Sequence, residues 1–232
     1  MTAKSTPSPQ PRTPLSRERV LHAAMVLADE GGIESLTMRK LARVLGVEAM
    51  SLYNHVANKG DLVDAIVDLV ISEFELPATG EEWDVAIRRC AISAHEALLR
   101  HPWACSLVMS PTTTRSVPTG RLRYIEWLLR RLREAGFSAE STYHAYHALD
   151  GHILGFTLWE LGHSAAVTNI AAGQDVANFV AEKLQELRAE YPYLAEHGEL
   201  HLADAPDERP RAFDFGLDLI IDGLERLREA AA

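Results

Sequence analysis

The sequence predicts an all-α protein: an N-terminal three-helix helix-turn-helix domain followed by a larger helical domain. Three observations carry this expectation. Apolar residues recur at three- and four-residue spacing along nearly the whole chain, and no alternating strand pattern competes with them. Near the N-terminus a helix, a short helix, a glycine-bearing turn and another short helix fit within about forty residues, the spacing of a helix-turn-helix. A long amphipathic stretch then leads into further helical text broken by Pro and Gly.

Residues 1–14, with Pro7, Pro9, Pro11 and Pro14, have nothing to bury and read as a disordered arm carrying Lys4 and Arg12. The helix-turn-helix domain is expected over residues 15–60. Ser16 is a good N-cap, and Val20, Ala23, Ala24, Leu27 and Ala28 follow at helical spacing until Gly31-Gly32 stops the first helix. Thr37 caps a second helix from Met38 to about Leu45, with Leu41, Ala42 and Leu45 on one face and Arg39, Lys40 and Arg43 on the other. Gly46 ends it, because a tight turn favours a residue free to take positive φ. A third helix is expected over Ala49 to His55. After Asn58, a cap, a long helix runs through Leu62, Ile66 and Val70 toward Pro77, opening a second domain over residues 61–232. Further helices are expected from Glu82 to Arg100, briefly after Pro102, from Pro118 to Ala135, from Ser138 to about His163, from Gln174 to about Ala189, and from about Ala212 to Glu229. The Ala/Gly-rich stretch near 165–173 and the Pro-bearing residues 190–210 read as breaks and loop.

Composition narrows the function. The 232 residues are 47% hydrophobic and 24% charged, ordinary for a folded chain. Two cysteines, Cys90 and Cys105, are too few for a disulfide framework and read as buried filler, in keeping with a reducing compartment. With no apolar leader and no run of eighteen apolar residues, a cytoplasmic protein without membrane contact is expected. The net charge of −10 argues globally against nucleic acid. Its distribution argues otherwise: residues 1–60 hold eight Lys/Arg against five Asp/Glu, a net of +3, which leaves −13 on the remainder. A mildly basic reader on an acidic body is the pattern of a DNA-binding module joined to a ligand- or partner-binding scaffold.

The segment from Leu36 to Val47, LTMRKLARVLGV, followed by SLYNHVANKGDL from Ser51 to Leu62, resembles the tetracycline-repressor (TetR) family of bacterial transcription regulators. The stretch FDFGLDLIIDGLE from Phe213 to Glu225 is similar to the final helix of the tetracycline-repressor class within that family. The resemblance implies DNA contacts at Arg39, Ala49, Met50, Ser51, Tyr53, Asn54, His55 and Lys59. Their chemistry agrees in part. Lys59 and Arg39 suit phosphate or guanine, and Tyr53 and His55 can donate to phosphate or merely pack. Ala49 and Met50 offer little beyond contact with a thymine methyl, and Glu48 suits a helix N-terminus better than a phosphate. The implied partners are a double-stranded DNA operator, a small-molecule effector and a second copy of the chain, so a repressor that the effector releases from DNA is expected. The same resemblance implies that the long helix after Asn58 transmits the effect as a tilt.

For the body, Trp103, Met109, Trp127, Phe156 and Trp159 are the expected lining of the effector pocket, and Ile153, Leu217, Ile220, Leu224 and Leu227 the expected dimer interface, with Gly216 and Gly223 allowing close helix approach. In the tetracycline-repressor class a histidine helps chelate a drug-bound magnesium, and its position falls at Val108, which cannot ligate, although Glu160 matches an acidic member of that site. His144, His147, His152 and His163 share one helix but lack a completing ligand set. No resident metal or cofactor is expected. An enzyme is disfavoured because His95-Glu96 lacks a second zinc-protease histidine and no G-x-S-x-G, G-x-G-x-x-G or P-loop occurs. A helical interaction module without DNA binding, which leaves Arg39, Tyr53 and Lys59 unexplained, and an activator of the same fold remain the alternatives.

Overall fold

The computed structural model describes residues 14–78, 80–110, 118–171, 176–202 and 212–231, with the side chains of 163–181 and 200–202 outside the description. The described residues are mostly helical and fall into two compact units, one of residues 14–67 with 118 and the other of the described residues within 68–110 and 119–231. The expected arm falls almost wholly outside the described residues. No helix among the described residues is long and apolar enough to cross a membrane.

In the first unit the Ser16 hydroxyl accepts from the Arg19 N–H and starts α1, Arg17–Gly31. Thr37 does the same for Lys40 at the start of α2, Met38–Leu45. Gly46 closes α2 in the left-handed conformation, φ 66°, donating its N–H back to Arg43. The third helix, α3, spans Ala49–Leu52, shorter than the sequence suggests. Tyr53, Asn54 and His55 continue in tighter bonds to the carbonyls three residues back, so the chain turns just where Arg17 Nη1 donates to the His55 carbonyl at 2.5 Å. Leu21, Leu27, Leu36, Leu41, Leu52, Val56 and Leu62 fill the core.

The fourth helix, α4, is Lys59–Ser72. Asn58 is its cap, as expected: Oδ1 accepts from the Asp61 N–H at 2.9 Å. Asp61 is itself buried, accepts from the Ala57 N–H at 2.9 Å and lies 3.8 Å from Arg17. One carboxylate thus ties the turn after α3 to α1 and α4. The helix stops at Ser72, short of Pro77, with Glu73 and Phe74 bonded to the carbonyls three residues back; further on, the Pro77 carbonyl accepts from Trp127 Nε1 at 3.0 Å and from Arg131 at 2.9 Å.

The second unit contains α5 (Trp83–Arg100), α6 (Pro102–Val108), α7 (Thr119–Glu134), α8 (Ala139–Ala171), α9 (Val176–Leu187), α10 (Pro192–Leu202) and α11 (Ala212–Ala231). Helices α5, α6, α7 and α11 all pack on α8. Two expectations are corrected. Helix α8 runs through the Ala/Gly-rich text to Ala171, and residues 192–202 form α10, where Pro192 occupies a first helical turn that needs no N–H. Gly198 on α10 fits against Leu184 of α9, where any Cβ would collide.

Residues 68–72 of α4 belong to the second unit, and the Asp68 carboxylate caps α7 from outside, accepting from the Gly120 N–H at 3.0 Å and the Arg121 N–H at 2.9 Å. Gly120 permits this approach, since a Cβ there would sit 2.5 Å from the Asp68 carbonyl oxygen. Cys90 and Cys105 are buried, free thiols, and burial pushes both up, Cys105 to about 11.

Replacing Asp61 strands the Ala57 N–H and removes the anchor of the turn. Asp61→Ala is expected to cost about 1–3 kcal/mol, read as a lower urea midpoint. A change smaller than about 0.5 kcal/mol, the usual surface value, contradicts the assigned role.

Candidate DNA-reading surface and effector cavity

On the first unit, Arg39, Met50, Tyr53, Asn54 and Lys59 are exposed, Met50 to 76%. Ala49, Ser51 and His55 are half-buried. The side chains of Arg39, Arg43, Tyr53, Asn54 and Lys59 make no hydrogen bond or ion pair with another described residue, whereas Lys40 turns to Ser35 Oγ at 3.4 Å. Burying Leu41, Leu45 and Leu52 forces this outcome: the opposite faces of α2 and α3 must carry their polar and basic side chains outward. Glu48 flanks α3 without making a side-chain cap.

In the second unit a cavity of about 270 Å³ opens among α4, α6, α7 and α8. Its walls are mostly apolar, with Ile71, Phe74, Leu98, Val108, Met109, Ile125, Ile153 and Leu154, and its polar lining is Arg121, Tyr124, Tyr146 and Asp150. Phe74 and Tyr124 meet edge to face at 5.4 Å. Asp150 accepts from the Tyr124 hydroxyl at 2.5 Å, and Tyr146 lies one helical turn before it on α8. Burial pushes the Asp150 carboxyl up, opposed by the neighbouring phenols and by the Arg121 guanidinium. The same burial, with the negative Asp150 beside them, raises both phenols.

The structure divides the five residues expected to line a pocket. Met109 lines this cavity. Trp103 is buried beside His101. Trp127 flanks a separate open groove with Pro77, Arg123 and Arg130, its indole N–H spent on the Pro77 carbonyl. Phe156 packs among His95, His152 and Phe213, and Trp159 is 44% exposed. Sequence reasoning overlooked Arg121, Tyr124, Tyr146 and Asp150. Their signal is the spacing of polar residues three and four apart on two helices, Arg121 with Tyr124 and Tyr146 with Asp150.

Val108 lies in the cavity wall and Glu160 does not: Glu160 Oε2 is 3.2 Å from His95 Nε2. The cavity lining therefore offers one carboxylate, already held by the Tyr124 phenol, and no imidazole, a donor set that does not fit a chelated magnesium. His152 Nε2 donates to the Phe213 carbonyl at 2.9 Å, and the rings of His144 and His147 lie against Tyr143. The side chain of His163 lies outside the described residues.

The expected dimer face is also divided. Ile153, Leu217 and Leu224 are buried within the protomer, Ile220 is half-buried, and Leu227 is 45% exposed. Helix α11 is apolar on two sides, and periodicity alone does not say which one faces inward. The outward stripe is Phe215, Leu219, Gly223 and Leu227, at four-residue steps. On α8 the exposed residues Gly151, Gly155, Leu158, Trp159 and Gly162 form a matching line, with open space where a Cβ on any of the three glycines would stand.

Comparison with known proteins agrees with this architecture. Residues 20–66 match the model of bacterial regulatory proteins of the tetR family, and residues 76–228 match the tetracyclin repressor-like C-terminal domain. The chain is 34% identical over 214 residues to the tetracycline repressor protein class D of Escherichia coli, covering 91% of this chain and 89% of that protein. Among solved structures it is similar to a TetR variant from Acinetobacter baumannii AYE in complex with minocycline, at 27% identity and TM-score 0.64, covering 92% of this chain and 95% of that one. It is also similar to BioQ with its double-stranded DNA operator, at 26% identity and TM-score 0.60, covering 92% and 99%. A capped helix-turn-helix followed by a helical body with an internal cavity, matched over nearly its whole length, places this chain in the tetracycline-repressor (TetR) family of bacterial transcription regulators.

Proposed function

We propose that the protein is a homodimeric transcription repressor that reads a palindromic DNA operator through α2, α3 and the start of α4, and leaves it when a small molecule enters the cavity beside α7 and α8. The observation that carries this reading is the set of outward, unpartnered side chains Arg39, Arg43, Tyr53, Asn54 and Lys59 on a scaffold held rigid by Asp61. Arg39 and Lys59 neutralise phosphate, Tyr53, Asn54 and His55 donate to backbone or base edges, and Ala49, Met50 and Ser51 approach the groove closely. The operator complex of BioQ supports the DNA partner, and the minocycline complex of the Acinetobacter baumannii TetR variant supports a small-molecule ligand. No catalytic role is assigned to any residue.

Two recognition helices serve successive major grooves when they stand about 34 Å apart, so a change of spacing on ligand binding removes half the contacts. Helix α4 is continuous across both units, and its Asp68 holds the first turn of α7, whose next turns line the cavity. A ligand that shifts α7 therefore acts on α4 directly. The second copy is expected to seat on the outward stripes of α8 and α11, where glycines allow close approach of helices.

A selection from random duplexes is expected to enrich a palindrome-like site. Lys59→Ala should weaken binding to all duplexes alike and reduce the salt slope by about 0.9, whereas Arg39→Ala should also erode discrimination. Enrichment of no palindrome would overturn the reading. Leu219→Glu should yield folded monomers and Leu217→Glu unfolded protein, because the first places a charge on an open stripe and the second in the core. Wild-type protein sedimenting as a monomer at micromolar concentration would contradict the interface.

A further inference from the structure

The polar end of the cavity has a definite hydrogen-bonding sense. A phenol carries one proton, and Tyr124 spends its own on Asp150. Toward a ligand, the Tyr124 oxygen and the Asp150 carboxylate can then only accept. The rest of the wall is hydrocarbon and aromatic, with Phe74 and Tyr124 presenting rings. Arg121 is the one cationic side chain in the lining; it is half-exposed, and its Nη1 reaches the Ser110 carbonyl at 3.4 Å. Asp150 accepts one phenolic hydrogen bond and otherwise faces a mostly apolar wall, so its remaining acceptor positions gain from a cation that brings its own N–H donors. Outside the cavity, the net −13 over residues 61–232 favours cation entry.

Resting on the effector reading of this cavity, we propose that the ligand is a small, flat, mainly apolar ammonium cation, its N–H donors on Asp150 and its hydrocarbon body along Phe74, Leu98 and Ile153. Ring faces and a desolvated carboxylate together select a cation over a neutral isostere. A volume of about 270 Å³ sets the size at one or two rings.

Three probes of one shape separate the charge classes: naphthylmethylammonium, naphthol and naphthoate, titrated calorimetrically into the full-length protein. The ammonium is expected to bind about tenfold more tightly than naphthol, with naphthoate weakest. Asp150→Asn should erase the preference. Arg121→Ala, at the half-exposed edge of the lining, should tighten ammonium binding a few-fold and provides a second test should the Asn variant fail to fold. Naphthoate binding tightest, an unchanged order in Asp150→Asn, weaker ammonium binding in Arg121→Ala, or no binding of any probe overturns the proposal. Release of the selected operator is scored separately. Asp150-dependent ammonium binding without release upholds the ligand class and removes the effector role of the cavity. Equal release by naphthol and the ammonium upholds that role and overturns the class.

Discussion

The Asp68 carboxylate is the contact on which the functional logic of this chain depends. It satisfies two of the N–H groups that every helix leaves open at its start, and it does so for α7 from a side chain on α4. A carboxylate at a helix N-terminus also faces the positive end of the helix dipole, so the contact is electrostatically favoured as well as hydrogen-bonded. Gly120 lets the two backbones approach so closely that nothing but hydrogen fits at its α-carbon. The joint is short, directional and without slack.

From that joint the two ends of the protein's behaviour follow. Arg121, Tyr124 and Ile125, in the first two turns of α7, form one wall of the cavity, while Tyr146, Asp150, Ile153 and Leu154 on α8 form another. The other end of α4 is fixed just as firmly: Asn58 caps it, and Asp61 binds it to the turn that follows α3 and to Arg17 of α1. We propose that a helix held at both ends by carboxylates is the element through which a shift of α7 acts. The free energy transmitted equals the ligand's differential affinity for the two arrangements, typically 1–3 kcal/mol.

Much of this was legible in the sequence, and the division is physical. The first unit could be read residue by residue because its determinants are local: Ser16, Thr37 and Asn58 cap the segments that follow them, Gly46 supplies the one positive φ of the turn, and the apolar period names the core. The cavity was not legible, because it depends on which faces of α7 and α8 oppose each other across the core. Trp103 and Phe156 are apolar enough for any pocket yet spend themselves in packing, while Asp150 and Tyr146 look like surface residues until Tyr124 is brought to them. Helix α11 failed for a different reason. Leu217 and Leu224 on its inward side and Phe215 and Leu219 on its outward side are equally apolar, so hydrophobicity could not tell core from interface. Pro192 breaks a helix in the interior but opens one at its first turn, and composition does not distinguish the two positions.

The most direct test of the Asp68 joint is the ratio of operator affinities without and with a saturating releasing compound, identified by screening for operator release and measured for wild type and Asp68→Ala. Asp68→Ala is expected to fold, to bind the operator and to bind the compound, while the ratio falls from tenfold or more, about 1.4 kcal/mol, toward one. A folded Asp68→Ala protein that the compound releases from DNA as fully as wild type would show that α4 receives its signal elsewhere.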